Sequence, residues 1–333
     1  MSDTPTLICL TPIKNEAWIL DRFLQCASTW ADHIVIADQQ SDDSSRDIAR
    51  RYEKVTLIDN PLPGYDEAGR QQLLIETARQ LPATGPRILI ALDADEMLSA
   101  NWMTSPAWTR LLQAPPGTVL RFRWLNVGPN VESGWVDSEY KPFGFVDDGS
   151  AHTGRRIHSP RVPVPTHAVP LDAEELTVLH YQYASWERMK SKQRWYQCWE
   201  RLHYPDKRPA LLYRQYHHMD AAIHHAGPLE AHWLQGYEDA GIDMCTIPSQ
   251  PYYHWDESIV DMLMEHGSSP FRRVDIWETD WADQAEQMGH AAAFQNPQTA
   301  FDKQVLAWLA RTQPRREALD VRLVQKALGL VGW

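Results

Sequence analysis

Arg87-Ile88-Leu89-Ile90-Ala91-Leu92-Asp93-Ala94-Asp95-Glu96 (RILIALDADE) joins an apolar run to two carboxylates separated by one small residue. The run follows Gly85-Pro86 and is rich in branched side chains, so it reads as a buried strand. Side chains alternate along a strand, so Asp93 and Asp95 can point the same way. Two carboxylates at the carboxyl end of a parallel strand suit a hard divalent cation that also holds phosphate oxygens. The pattern equally fits an ordinary strand exit, where Asp is common, and the upstream sequence has to separate the two readings.

Upstream, strands and helices alternate. Thr6 to Thr11 is a short strand stopped by Pro12, and apolar residues from Trp18 to Trp30 recur at helical spacing. His33 to Ala37 is a second strand ending at Asp38, with a Ser/Asp helix start after Gln39-Gln40. Val55 to Ile58 is a third, and Glu67 to Leu81 a helix that leads into RILIALDADE. Such alternation predicts right-handed crossovers and a mostly parallel sheet with helices on both faces. Ligands of such sheets sit at the carboxyl edge. Pro12 to Glu16, Asp38 and Asp93 to Asp95 therefore converge on one rim. No GxGxxG follows the first strand and no GxxxxGK[ST] occurs, which disfavours a dinucleotide fold and a P-loop.

After Glu96 the pattern changes. Trp102 to Leu112 reads as a helix and Thr118 to Val127 as a strand. Residues 128–170 read as loops and hairpins that could cover a site. Leu176 to Leu179 is a short strand before His180, and Ala184 to His203 a long helix. The rest is mostly helical, giving two expected regions, 1–182 and 183–333. His217-His218, His224-His225 and His232 suggest a metal cluster at first sight, but no Cys or carboxylate completes a ligand set, so hydrogen-bonding histidines are expected.

The chain has 333 residues, 43% hydrophobic and 23% charged, enough for a substantial core. A net charge of −12 argues against a nucleic-acid partner. Four scattered cysteines without a CxxC point to a reducing compartment. No run is long and apolar enough to span a bilayer and no signal segment opens the chain, so a cytoplasmic protein is expected, with a peripheral membrane contact left open. The 15 Trp suit either an aromatic core or platforms for sugar rings.

Taken in order, five segments resemble the family-two inverting nucleotide-sugar glycosyltransferases of GT-A fold, over about residues 5–200. Pro12-Ile13-Lys14-Asn15-Glu16 is similar to the family's P-x-x-N-E turn, and Asp38-Gln39-Gln40-Ser41-Asp42-Asp43 to its D-D-G-S-x-D turn. Gly69-Arg70-Gln71-Gln72 resembles its basic helix start, and Asp93-Ala94-Asp95 its D-x-D. His180-Tyr181, with Lys192 to Tyr196 beyond it, resembles the H-Y…K-x-R-Y stretch of a bacterial branch acting on lipopolysaccharide cores and related glycans.

The resemblance implies a GT-A domain with a mostly helical carboxyl-terminal extension on the acceptor side. It also implies a nucleoside diphosphate sugar as donor and a glycan, lipid-linked or peptide acceptor. Pro12, Asn15, Glu16, Asp38, Arg70 and Asp93 would bind the donor. Asp93, Asp95 and His180 would hold Mn²⁺ or Mg²⁺, which stabilises charge on the leaving diphosphate. His180 has a plainer reading as a strand-end residue capping the next helix. An inverting transfer needs a base, and the family's usual acidic motif is not evident. Asp137, Glu139, Asp147, Asp148, His158 and His167 are open, with Asp147 or Asp148 preferred and His158 next. Gln40 stands where the family has glycine, which changes how closely the backbone can approach a ligand. Two other readings remain: a non-catalytic sugar-nucleotide or glycan-binding scaffold, and a sugar-phosphate nucleotidyltransferase, which the absence of a Gly-rich loop after the first strand disfavours.

Overall fold

The computed structural model describes residues 4–62, 66–156, 159–291 and 293–333. Its centre is four parallel strands, β1 (Thr6–Ile13), β2 (His33–Asp38), β3 (Val55–Asp59) and β4 (Arg87–Ala91), in the order β3-β2-β1-β4. Helices α1 (Leu20–Ser28), α2 (Ser45–Ala49) and α3 (Glu67–Gln80) connect them. Alternation along β1 fixes which helix covers which face. Cys9 packs in one core with Leu20, Phe23 and Leu24 of α1, whereas Ile8 and Leu10 pack in the other with Leu74, Ile75 and Ala78 of α3. Asp66 starts α3 by accepting from the Gly69 N–H at 3.1 Å.

Beyond β4 the sheet gains antiparallel members. β5 (Glu96–Leu98) is followed by a 3₁₀ turn at 100–103 and by α4 (Pro106–Leu112). The single helix expected over 102–112 is divided because Ser105 caps a new helix with Pro106 in its first turn. Then come β6 (Thr118–Val127), β7 (Ser133–Val136), β8 (Lys141–Val146) and β9 (Val169–His180). β8 lies antiparallel between β4 and β6, β7 antiparallel on β6, and β9 parallel to β6. The short link from β6 to β7 cannot make the crossover that parallel pairing requires. β5 pairs antiparallel with β9, setting Glu96 opposite His180.

Helices α5 (Trp186–His203), α6 (Pro209–Tyr216), α7 (His218–Ala222), α8 (Gln235–Asp239), α9 (His254–His266), α10 (Trp281–Gln287), α11 (Ala300–Thr312) and α12 (Leu319–Gly329) complete the chain. The chain forms two compact units, one running to Ala184 and including Pro228–Pro248, the other Ser185–Gly227 with Ser249–Trp333. Residues 228–248, expected with the carboxyl-terminal region, thus pack in the first unit. Buried Tyr237 donates to the Leu98 carbonyl at 2.9 Å, and Tyr181 to the Met244 carbonyl at 3.0 Å. The second unit is helical. One of its cores gathers Cys198, Ile259, Leu263, Phe271 and Trp281, and another Tyr213, Leu309 and Trp333. Among the described residues no helix is long and apolar enough to cross a membrane. All four cysteines are free, three of them buried.

Candidate functional site

The carboxyl edge of the parallel strands is built first by two interlocked turns. Gln39 N–H donates to the Ile13 carbonyl at 2.9 Å, Asn15 N–H to Ser41 Oγ at 2.9 Å, and Asp42 N–H to Asn15 Oδ1 at 3.0 Å. Glu16 N–H donates to Ser45 Oγ at 2.9 Å, and Glu16 Oε2 accepts from Trp18 Nε1 at 2.8 Å. Asn15 and Gln40 both have φ of +55°. Asn tolerates this left-handed region, while Gln holds it at a cost. Gln40 therefore sits in the backbone conformation for which glycine is suited, the residue its position has in the resembled motif.

Pro12 is buried in β1 opposite Ala37. The Asp38 side chain is wholly buried and held by Arg46 Nη1 at 2.5 Å, which also reaches Asp59 at 2.8 Å. As folded, Asp38 braces the end of β2 from inside. Arg70 is half-buried on the first turn of α3. A later segment also runs past this helix start: Glu67 N–H donates to the Arg156 carbonyl at 3.1 Å, and Ser159 N–H to Glu67 Oε2 at 2.7 Å.

That segment brings Arg161 into the acidic end of β4. Arg161 Nη2 donates to Asp93 Oδ2 at 2.8 Å and to Glu96 Oε1 at 2.9 Å, and Nη1 to Glu96 Oε2. Trp124 Nε1 donates to Glu96 Oε1 at 2.9 Å and Asp93 N–H to Glu96 Oε2 at 2.9 Å. Glu96 is fully buried. Burial pushes its carboxyl up, and Arg161 works against that shift. Both Glu96 oxygens are taken by Arg161, Trp124 and the Asp93 N–H, which makes Glu96 the anchor of that guanidinium.

Asp95 and His180 face each other, with Oδ2 and Nε2 at 3.9 Å. Both are buried, and His180 stacks on Trp124 with centroids 5.0 Å apart at 18°. Behind the imidazole, Nδ1 lies 3.0 Å from Asn126 Oδ1, while Asn126 Nδ2 donates to Asp137 Oδ1 at 3.0 Å. Lys141 Nζ donates to Asp137 Oδ2 at 2.6 Å and sits 3.7 Å over the Trp124 ring. Because the Asn126 amide N–H is directed to Asp137, its oxygen is an acceptor and His180 Nδ1 carries the proton. In its neutral form His180 would present the Nε2 lone pair on the side of the Asp95 carboxylate, the tautomer a metal ligand needs.

These donors fit a divalent cation in part. Asp95 and His180 are aimed together, and Mg²⁺ or Mn²⁺ on few protein ligands takes phosphate oxygens and waters for the rest. Asp93 is turned toward Arg161. Among the described residues no group of three His, Cys, Asp or Glu could hold a metal by itself.

The expected bases are placed elsewhere. Asp147 N–H donates to the Arg87 carbonyl at 2.8 Å, and its carboxylate takes Arg79 at 2.7 Å. It thus lies at the amino end of β4, and an extended chain from Arg87 to Asp93 covers about 20 Å. Asp147 and its neighbour Asp148 are corrected on this ground: they face the wrong edge of the sheet. The antiparallel course of β8, not readable from a loop-like segment, is the cause. His167 is exposed, and its charge acts on Asp148. His158 lies outside the described residues. Among the later histidines, His217 pairs with Asp275 at 3.0 Å.

Sequence reading missed Arg161, Trp124 and Asn126. Trp124 and Asn126 share a face of β6 by their two-residue spacing, a signal available once that strand is placed beside His180. Arg161 follows no periodic pattern.

No family model matches the chain. No curated protein matches it in sequence. Among solved structures, it is similar to glucosyl-3-phosphoglycerate synthase from Mycobacterium tuberculosis in complex with phosphoglyceric acid, at 14% identity and TM-score 0.25, covering 36% of this chain and 44% of that one. It is also similar to 4-diphosphocytidyl-2C-methyl-D-erythritol synthase from Anaerococcus prevotii, at 11% identity and TM-score 0.28, covering 43% and 71%. A mycobacterial protein matches at 13% identity and TM-score 0.28, covering 37% and 41%. This chain spans less than half the length of the two mycobacterial structures. Likenesses this low decide nothing about the chain.

Proposed function

We propose that the protein is a metal-dependent inverting glycosyltransferase of the family-two kind. It would move a sugar from a nucleoside diphosphate sugar to a hydroxyl of a glycan, lipid-linked or peptide acceptor. The observation that carries this reading is the Asp95–His180 pair at the carboxyl edge of a parallel sheet, with the imidazole tautomer set by Asn126 and Asp137. A bound Mn²⁺ or Mg²⁺ would act as a Lewis acid toward the leaving diphosphate.

The chain's own residues supply the rest. The turns at Asn15-Glu16 and after Asp38, with Arg70 nearby on α3, form the rim that would receive base, ribose and diphosphate. Arg161 holds Asp93 and Glu96 in place. Asp137 is a positioning residue, acting on His180 through Asn126. With Asp147 and Asp148 removed from this edge, we assign the acceptor proton to Glu139, exposed in the turn that links Asp137 to Lys141.

The test is a panel of nucleoside diphosphate sugars incubated with the protein and Mn²⁺ or Mg²⁺, read as released nucleoside diphosphate. Release that requires the metal and is abolished in a folded Asp95→Ala variant supports the proposal. Release of pyrophosphate would move the protein to the nucleotidyltransferases, and tight nucleotide binding without turnover would make it a scaffold.

A further inference from the structure

The second unit contains a cavity of its own, of about 520 Å³, between α5, α6, α7, the 275–298 segment and α11. Ligand clefts run from about 300 to 1,000 Å³, so this volume is that of a small-molecule site. Nothing assigned to the first unit uses it.

Its lining is chemically specific. Gln193 and Gln298 bring amides, Asp220 and Asp275 carboxylates, and Tyr216 and Trp277 aromatic rings. Several of these are held in position. His217 stacks on Tyr213 at 3.7 Å and 3° and grips Asp275 at 3.0 Å. Tyr216 is stacked on Tyr196 at 5.5 Å and 6°. Trp277 Nε1 donates to the Phe271 carbonyl at 2.9 Å, which fixes the indole plane.

Charge excludes two ligand classes. Lys190, Arg194 and Lys303 face the cavity against Asp220, Asp275 and Glu278. Arg194 is already paired with Asp256 at 3.1 Å. An anion would meet the carboxylates with little uncommitted positive charge to offset them. A wholly apolar ligand would strip water from the buried Gln193 amide and from the half-buried Asp220 and Asp275 carboxylates without replacing its hydrogen bonds, which costs more than it gains. A neutral hydroxyl-rich ring avoids both penalties. Each hydroxyl donates and accepts, matching amides and carboxylates together, and the C–H face of the ring lies against aromatic carbon. We propose that this cavity is a binding site for a neutral sugar, separate from the donor rim of the first unit. The inference does not rest on the transfer reading, since a sugar would bind here whether or not the first unit turns over.

Ala307 lines the cavity from α11 and is exposed, so a larger side chain there fills the opening without entering a core. The experiment is saturation-transfer NMR on the full chain, with glucose, galactose and mannose as probes, and with inorganic phosphate titrated as a competitor. Transfer to at least one hexose is expected in the wild type. Ala307→Trp is expected to weaken it by about tenfold or more, as the loss of a few hydrogen bonds and one ring contact would, with an unchanged melting temperature. Asp95→Ala should leave it intact, which separates this site from the proposed donor site. Three results would overturn the proposal: no transfer to any hexose in the wild type, equal transfer in a folded Ala307→Trp, or displacement of the hexose by phosphate.

Discussion

His180 Nε2 and Asp95 Oδ2 face each other across 3.9 Å, and the amide of Asn126 sets the proton on the far nitrogen of the imidazole. A cation placed between the Asp95 carboxylate and the Nε2 of a neutral His180 would meet two acceptors. Asp95→Ala and His180→Ala should each lose binding of Mn²⁺ with a nucleoside diphosphate. Asp137→Asn should weaken the metal about 10- to 100-fold, the usual effect of a residue that orients a metal ligand. Isothermal titration of each folded variant measures this, and wild-type affinity in Asp95→Ala would remove the metal role.

Arg161 should matter as much for folding as for any ligand. Removing one partner of a buried ion pair costs about 3–5 kcal/mol, because the other charge is left uncompensated. Arg161→Met leaves the fully buried Glu96 carboxylate without its counter-charge and should lower the urea midpoint sharply. Adding Glu96→Gln should restore part of the loss. A double variant no more stable than Arg161→Met would show that the guanidinium contributes through packing on Trp124 and Phe143 instead.

The two edges of the sheet predict opposite outcomes for two acidic residues. Glu139→Gln should reduce turnover by about 10²–10⁴ if it takes the acceptor proton. Asp147→Asn should leave turnover within a small factor of wild type while costing stability through Arg79. Steady-state rates beside melting temperatures distinguish the two, and the reverse order would place the chemistry at the amino edge.

Asp220 gives a pH-dependent prediction. Burial raises its carboxyl above the usual 3.8, partly offset by His217. An acid whose folded pKa is raised binds more protons folded than unfolded, so its contribution to stability falls as pH rises through that window. Asp220→Asn should therefore be more stable than wild type at pH 7, with the advantage shrinking as pH is lowered toward 3.8. Urea midpoints at several pH values check this. An advantage that grows on acidification would contradict it.

The parallel half of the fold was legible because its signals are local. Apolar runs such as Ile88–Leu92 end in polar residues, and helices such as α3 begin at a capping Asp. The rim turns followed from strand order alone. What was not legible depends on pairing across long separations. Asp147 looked like a site residue until β8 was seen to run antiparallel to β4, which carries it to the opposite edge. Arg161 enters the acidic cluster from a stretch without periodicity, and only tertiary placement shows that it occupies Asp93. Asn126 is an ordinary strand residue until His180 is placed beside it in register.

The chain passes from one unit to the other three times, after Ala184, after Gly227 and after Pro248. No single cut therefore frees either unit whole. A chain ended at Ala184 would lack Tyr237, Ile242 and Met244, leaving Cys26, Tyr181 and the Leu98 carbonyl stripped of their cover. Such a fragment should be recovered as aggregate. The same chain supplemented with residues 228–248 through a short linker should fold, which makes this 21-residue return a clasp that any attempt to dissect the protein must carry along.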